Sequence, residues 1–407
     1  MGSFLNFVFE GSKDTFNGSP RYCYGGPLYN YAISKHYTEN LELCESKNNF
    51  LFFEVNRAEL QLKNIVKKYK DWCITNNVNI ILANIADPTE EESYTKVRSL
   101  IDKSGLGEYI HWIDSNITLK KYPKTYAFDY FIEELTKHKD KEGELFGYGS
   151  KNDLGYVSQK IEERELDTFR NKKFLSFNRI ISPKYHRSKL LFDSLKFNLH
   201  KDSYFSFLQN EIYEGWDFFD YFVENLEYKK QFVDECTDKL PIILDTKEYD
   251  GSYAEFRTHN TFKKELFLDS CINIVTETSF QFNELFLSEK ILKPIVMYQP
   301  FIVLSGVGYL KHLKELGFRT FDYYWDESYD DIEDFEKRYN KILLLILELN
   351  NKPIDELNNL YKNLKHICIY NRNHLIKMKN NSWFDIFSSI NGEFKKITTK
   401  ENQKDLI

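Results

Sequence analysis

Short apolar runs alternate with longer stretches whose apolar residues recur every three or four positions, and this alternation predicts the organisation of the chain. Phe4 to Phe9, Leu51 to Glu54, Asn79 to Ala83 and Tyr109 to Ile113 have the length and composition of strands. Between them, Leu28 to Lys35, Arg57 to Trp72 (with Leu60, Ile65 and Tyr69 among its apolar positions) and Pro88 to Ile101 read as helices. Strands regularly separated by helices predict a parallel sheet, so the first half is expected to be Rossmann-like. It contains no GxGxxG and no GKS or GKT loop.

The second half opens with an apolar strand, Lys173 to Phe177, running into Asn178-Arg179. Ser182-Pro183 then supplies a helix start, serine as cap and proline in the first turn. The most informative stretch is Cys271 to Asp322, CINIVTETSFQFNELFLSEKILKPIVMYQPFIVLSGVGYLKHLKELGFRTFD. It reads as strand, polar turn (Thr276-Glu277-Thr278), helix, strand (Phe301 to Leu304), glycine turn (Gly306, Gly308) and helix. Ser288 is the expected N-cap of the first of these helices, and Pro294 inside it predicts a short or kinked helix. In β/α sheets ligands bind beyond the carboxyl ends of the strands, which is where Glu277 and Ser305 to Gly308 fall. Tyr339 to Leu349 and Ile354 to Met378 continue as helices, Trp383 to Ile390 as a further one, and Lys395 to Ile407 as a polar tail.

Length adds a division. A chain of 407 residues exceeds one ordinary hydrophobic core, and the glycine-bearing, charged stretch Lys137 to Leu154 is the best candidate for the connection between two domains, or equally a mobile surface loop. The expected layout is 1–160, 161–380 and a C-terminal 381–407. With 34 Phe and 28 Tyr, both domains can build sizeable cores. The six cysteines show no CxxC pairing or metal-ligand spacing and read as reduced thiols. No apolar run reaches the roughly 18 residues a membrane span needs, and Asn6 stands where a myristoylation signal wants Ser or Thr. A soluble, cytoplasmic protein without a membrane partner is expected.

Charge sharpens the picture locally. The formal net charge of −7 argues against nonspecific nucleic-acid binding through overall charge, yet Lys172 to Lys201 carries eight Lys or Arg against the single acid Asp193. Arg187 lies four residues before Leu191 and His186 four before Leu190, so at least one basic side chain should turn inward and require an anion, for which a diphosphate is suitable. Lys290 at a capped helix start suits a phosphate, or is a solvated lysine. Glu277 and Glu289 could accept from sugar or ribose hydroxyls; otherwise one is a cap and the other a surface charge.

Thr276-Glu277, Ser288-Glu289-Lys290, Lys293-Pro294, Pro300-Phe301-Ile302, Leu316-Gly317-Phe318 and Phe321 together resemble the donor-binding half of GT-B-type glycosyltransferases. The similarity is greatest to a group from phages and large DNA viruses, and more distant to the α-1,3-fucosyltransferases, whose Thr-Glu-Lys turn helps to hold the sugar nucleotide. Here Ser288 replaces that threonine and keeps the capping hydroxyl. The resemblance covers roughly residues 171–335. It implies an α/β fold of two Rossmann-like domains facing a cleft, with C-terminal helices crossing back, and a transferase moving a sugar from a nucleoside-diphosphate sugar to a glycan, a protein side chain or a modified DNA base. Asn178, Arg179, Arg187, Glu277, Glu289 and Lys290 are then the expected donor-binding residues, and alanine at Arg187 or Lys290 should abolish donor binding without unfolding. Glu10, after the first strand, is the candidate base for an inverting reaction, although a turn carboxylate is more often structural; His111 and Asp114 are weaker candidates. No Asp-x-Asp stands near a strand end, and the acids Asp322, Asp326, Glu327, Asp330 and Asp331 read as a solvated loop, so metal-independent chemistry and no cofactor beyond the nucleotide sugar are expected. The rival readings are a noncatalytic nucleotide- or glycan-binding module and a nucleic-acid-binding protein using residues 172–201.

Overall fold

The regular alternation of strand and helix leads to parallel pairing throughout, because each helix returns the chain to the same edge before the next strand begins. In the computed structural model every ladder between the strands named below is parallel. The structure describes residues 5–8, 37–38, 48–54, 58–84, 88–129, 131–132, 161–178, 184–208, 218–226, 228–244, 264–281, 284–378, 386 and 389–390. The chain divides into two compact α/β units: Met1–Glu134 with Glu284–Phe286 and Lys379–Ile407, and Leu135–Asn283 with Leu287–Met378.

The first unit contains β1 (Leu5–Val8), β2 (Tyr37–Thr38), β3 (Asn48–Glu54), α1 (Ala58–Thr75), β4 (Asn79–Asn84), α2 (Glu91–Ser104), β5 (Ile110–Asp114) and β6 (Thr125–Ala127). The strands lie in the order β2-β1-β3-β4-β5-β6, a doubly wound arrangement of the Rossmann-like class. Leu62, Ile65, Tyr69 and Cys73 recur along one face of α1 and bury against Leu51, Ile80, Leu82 and Trp112 of the sheet. α2 begins three residues after the expected Pro88. Thr89 is held outside the helix by Asp114, which accepts both its backbone N–H at 3.1 Å and its hydroxyl at 2.5 Å. Gly105, at φ 78°, ends α2 in the left-handed region that favours glycine.

The second unit contains β7 (Lys172–Asn178), α3 (Tyr185–Lys196), β8 (Tyr204–Phe207), α4 (Phe218–Asn225), α5 (Lys230–Thr237), α6 (Lys264–Asp269), β9 (Ser270–Thr276), α7 (Glu289–Val296), β10 (Phe301–Leu304), α8 (Tyr309–Glu315), α9 (Phe335–Asn350) and α10 (Ile354–Lys377). Its sheet runs β10-β9-β7-β8. All seven residues of β9 are buried, as expected of a parallel strand covered on both faces. α7 is the short helix that Pro294 foretold, with Ser288 at its N-cap accepting the Lys290 N–H at 3.2 Å. α3 starts at Tyr185, with Lys184 rather than Ser182 at the N-cap; Ser182 and Pro183 lie outside the described residues.

α3 also corrects the reading of the basic segment. Residues Tyr185 through Leu195 are all buried, so the helix has no solvent face over that length. Lys189 meets Asp193 at 2.9 Å, its ammonium lies 4.3 Å from the Tyr339 ring centroid, and Asp193 also receives the hydroxyls of Tyr228 and Tyr339. The one acid within the basic cluster therefore anchors a buried network.

The expected boundary near residue 160 falls at the edge of 133–160, outside the described residues. Of the helix expected over 383–390, Ile386 and residues 389–390 are described, and the chain after Met378 counts with the first unit. No helix among the described residues is long and apolar enough to cross a membrane.

Candidate functional site at the carboxyl edge of the second sheet

In the second unit the chain leaves β7 through α3 toward β8 and leaves β9 through α7 toward β10, on the opposite side. Where such connections diverge, the carboxyl ends of the two middle strands are not covered by their own crossovers, and a ligand crevice forms. Those ends are Asn178 of β7 and Thr276-Glu277 of β9.

Asn178 joins them: it accepts the Thr276 hydroxyl at 2.7 Å and donates to the Ser176 hydroxyl oxygen at 3.1 Å. Arg187 Nη2 donates to the carbonyl oxygens of Thr276 at 3.2 Å and Glu277 at 3.0 Å. The inward guanidinium expected from the sequence thus meets strand-end carbonyls. Burial lowers its pKa to about 10, against the pull of the Glu277 and Glu289 charges, and it stays protonated at neutral pH. His186 Nε2 lies 2.9 Å from the same Glu277 carbonyl oxygen, so this nitrogen carries the proton. Burial and the neighbouring Arg187 charge hold its pKa well below the ordinary value, and the ring, stacked on Phe280 with centroids 5.0 Å apart, is neutral.

The Glu277 carboxylate is wholly buried. It receives the Ser288 hydroxyl at 2.5 Å, the Tyr309 hydroxyl at 2.5 Å, and the backbone N–H groups of Ser288 and Thr278 at 3.3 Å each. Burial raises its pKa, while the Lys290 charge and the two hydroxyls oppose the rise. Glu289 and Lys290 are the members of the set that solvent reaches, with side chains 21% and 25% exposed and an ion pair of 3.1 Å between them. Lys290 Nζ also donates to Thr278 Oγ1 at 3.3 Å and to Ser288 Oγ at 3.2 Å.

Asn178, Arg187, Glu277, Glu289 and Lys290 are therefore brought together at one edge, three as a buried frame and two at its surface. Arg179 and Glu10 lie outside the described residues. The weaker base candidates sit within the first unit. Asp114 is fully buried and satisfied by Thr89, Trp112 and Asn116, with burial raising its pKa to about 6. His111 is buried beside Tyr126 and neutral, its pKa lowered to about 3 by burial.

The acidic loop is less solvated than its composition predicts. Asp330 is buried and accepts the N–H groups of Leu310 and Lys311, capping α8, and buried Glu327 accepts from the Phe321 N–H. Asp322 and Asp326 pair instead with Lys314 and Lys341. Among the described residues, no group of three or more His, Cys, Asp or Glu side chains gathers as a metal-holding set.

Sequence reasoning missed Tyr309 and the backbone-directed use of His186. The available signal was Glu277 itself, a carboxylate at the end of an apolar strand, which burial obliges to find hydroxyl or amide donors in adjoining turns.

No family model and no curated protein matches the chain. Among solved structures, α,α-trehalose 6-phosphate synthase from Burkholderia multivorans is similar at a TM-score of 0.39 and 10% identity, over 87% of this chain and 72% of that one. A UDP-forming α,α-trehalose-phosphate synthase from Burkholderia xenovorans is similar at 0.37 and 11%, over 84% and 74%. A candidate UDP-N-acetylglucosamine 2-epimerase from Listeria monocytogenes is similar at 0.35 and 9%, over 96% of each chain.

Proposed function

We propose that the protein is a GT-B-type glycosyltransferase that moves a sugar from a nucleoside-diphosphate sugar to an acceptor hydroxyl, on a glycan, a protein side chain or a modified DNA base. The observation that carries this reading is Lys290. It stands partly exposed beside Glu289 at the N-terminus of α7, next to the point where the connections of a parallel sheet diverge. In this reading Lys290 and the α7 amide end meet the diphosphate, and Glu289 accepts from a ribose or sugar hydroxyl. Arg187 adds positive charge behind them, and Arg179, outside the described residues, is carried as a further donor-binding residue. Asn178 and Glu277 hold the strand ends in place. Departure of the diphosphate is assisted electrostatically by these fixed charges, without a divalent cation, and Glu10 serves as the base.

The nucleic-acid alternative loses support from the burial of the basic segment. Of its seven described Lys and Arg residues, only Lys196 and Lys201 are exposed, while Arg187 and Lys189 are buried. A noncatalytic binding module differs in predicting binding without turnover.

The test is calorimetric titration with UDP-, GDP-, CMP- and dTDP-sugars in EDTA and again with manganese, followed by an assay for release of the nucleotide product. Binding in EDTA with turnover supports the proposal. Binding without turnover across the acceptor classes selects the binding module, and silence toward all four families removes the donor site.

A further inference from the structure

The partners of Ser288 constrain its single hydroxyl proton. Oγ lies 2.5 Å from Glu277 Oε2, an acceptor when ionised, and 3.2 Å from both the backbone N–H and the ammonium of Lys290, which can only donate. The Ser288 proton must therefore point to Glu277, leaving both lone pairs for Lys290. The other Glu277 oxygen is held by the Tyr309 hydroxyl at 2.5 Å, from the first turn of α8. A directed chain results, from the Lys290 ammonium through the Ser288 hydroxyl to the Glu277 carboxylate, with Tyr309 closing it from the far side.

We propose that Glu277 and Tyr309 are positioning residues, which fix the polarity of the Ser288 hydroxyl and through it hold the Lys290 ammonium at the N-terminus of α7. This deepens the donor-site reading and rests on it for what Lys290 then binds. Neither residue need touch the ligand, since Glu277 is wholly buried and Tyr309 nearly so. The chemistry of one substitution isolates the claim. In Glu277→Gln the side-chain amide must donate to one of its two hydroxyl partners. If it donates to Ser288, that oxygen loses a lone pair and its proton turns toward Lys290, which repels it. If it donates to Tyr309, the phenolic proton loses its acceptor. In Tyr309→Phe the carboxylate loses one donor and is freer to shift from Ser288.

The experiment is competitive acetylation of the full chain with isotope-labelled acetic anhydride, reading the rate at Lys290 by peptide mass spectrometry. Loss of about one hydrogen bond from the ammonium predicts a roughly fivefold faster rate in Glu277→Gln and a smaller rise in Tyr309→Phe. Tyr339→Phe, which removes the hydroxyl bonded to Asp193 in the same unit, serves as the control: it lowers stability and leaves the Lys290 rate unchanged. Rates at Lys290 equal to wild type in both Glu277→Gln and Tyr309→Phe, or a rise in Tyr339→Phe of the same size, would overturn the proposal. Addition of nucleoside diphosphate reads the donor site separately. Protection of Lys290 in the wild type supports that reading and its absence removes it, while the rate comparison between variants stands in either case.

Discussion

Arg187 Nη2 lies 3.0 Å from the carbonyl oxygen of Glu277, so the most conspicuous basic cluster of an acidic chain contributes its buried guanidinium to the end of a strand. This changes what mutagenesis can report. Arg187→Ala removes the Arg187 donor from the Thr276 and Glu277 carbonyls, of which Glu277 keeps His186, and empties the buried space the side chain fills; it is expected to cost about 2–4 kcal/mol in unfolding free energy. Urea denaturation followed by tryptophan fluorescence measures it; a loss below about 0.5 kcal/mol would show that the contact is dispensable. The expectation from sequence that this substitution spares the fold does not survive its burial.

Lys290→Ala is the cleaner probe of binding. The side chain is partly solvated and ends in part-buried ion-pair and hydroxyl contacts, so its removal is expected to change stability by about 1 kcal/mol. Affinity for a nucleoside diphosphate should fall at least tenfold, with affinity for the free nucleoside unchanged, as calorimetry on the two ligands will read. Equal losses for both would place Lys290 away from the phosphates.

Asp114 gives a pH dependence of defined sign. Its pKa rises from 3.8 to about 6 on folding, so the folded state binds the proton more tightly than the unfolded chain. The stability contributed by this group is complete below about pH 4 and is lost as the pH rises through 6. Asp114→Asn cannot titrate and disturbs the Thr89, Trp112 and Asn116 bonds, so it should be less stable than wild type at pH 4.5, with the gap narrowing by pH 7. Denaturation at several pH values checks the trend, and a gap that widens instead would reverse the assignment.

Asp330 caps α8 from the loop that follows, through the N–H groups of Leu310 and Lys311 at 2.9 and 3.0 Å. Asp330→Ala should lower the unfolding free energy by about 1–2 kcal/mol, and Asp330→Asn by less, because its remaining carbonyl oxygen still caps one N–H. Thermal denaturation of the pair distinguishes capping from charge.

Gly317→Ala should cost about 1–3 kcal/mol, since its φ of 91° is unfavourable for other residues and a Cβ there would lie 2.8 Å from the His374 ring. Combining it with His374→Ala should recover the steric part and leave the backbone part. Simple additivity in the double variant would show that the ring does not cause the strain.

What could be read in the sequence follows from how local the signal was. β7, β9, β10 and the helices α7 to α10 were legible because their apolar runs, the Ser288 cap and the Gly308 turn act within a few residues. β6 and β8 were missed: Thr125–Ala127 has three residues, and the aromatic YFSF of β8 gives no alternation to distinguish a strand from a loop. α4 and α5 have eight residues each, too few for a periodic pattern to stand out. At the site, Glu277, Glu289 and Lys290 were found through their turns, but the division between buried frame and exposed contact was not. Whether Arg187 faces a ligand or a carbonyl depends on β9, about 90 residues away in the chain. The single acid Asp193 looked incidental until α9 brought Tyr339 to it.

The placement of β9 beside β7 has a consequence for biosynthesis. The Ser176 hydroxyl bonds the Ile274 carbonyl at 2.8 Å across a sequence separation of 98 residues, and β9 lies between β7 and β10. At translation rates of about 5–20 residues per second, β7 leaves the ribosome on the order of 5–20 s before β9 exists. Throughout that interval β7 can pair only with β8, made soon after it, and the edge that β9 will occupy stays open. Arrest of translation between residues 208 and 276 therefore leaves open the β7 edge that β9 hides in the finished sheet.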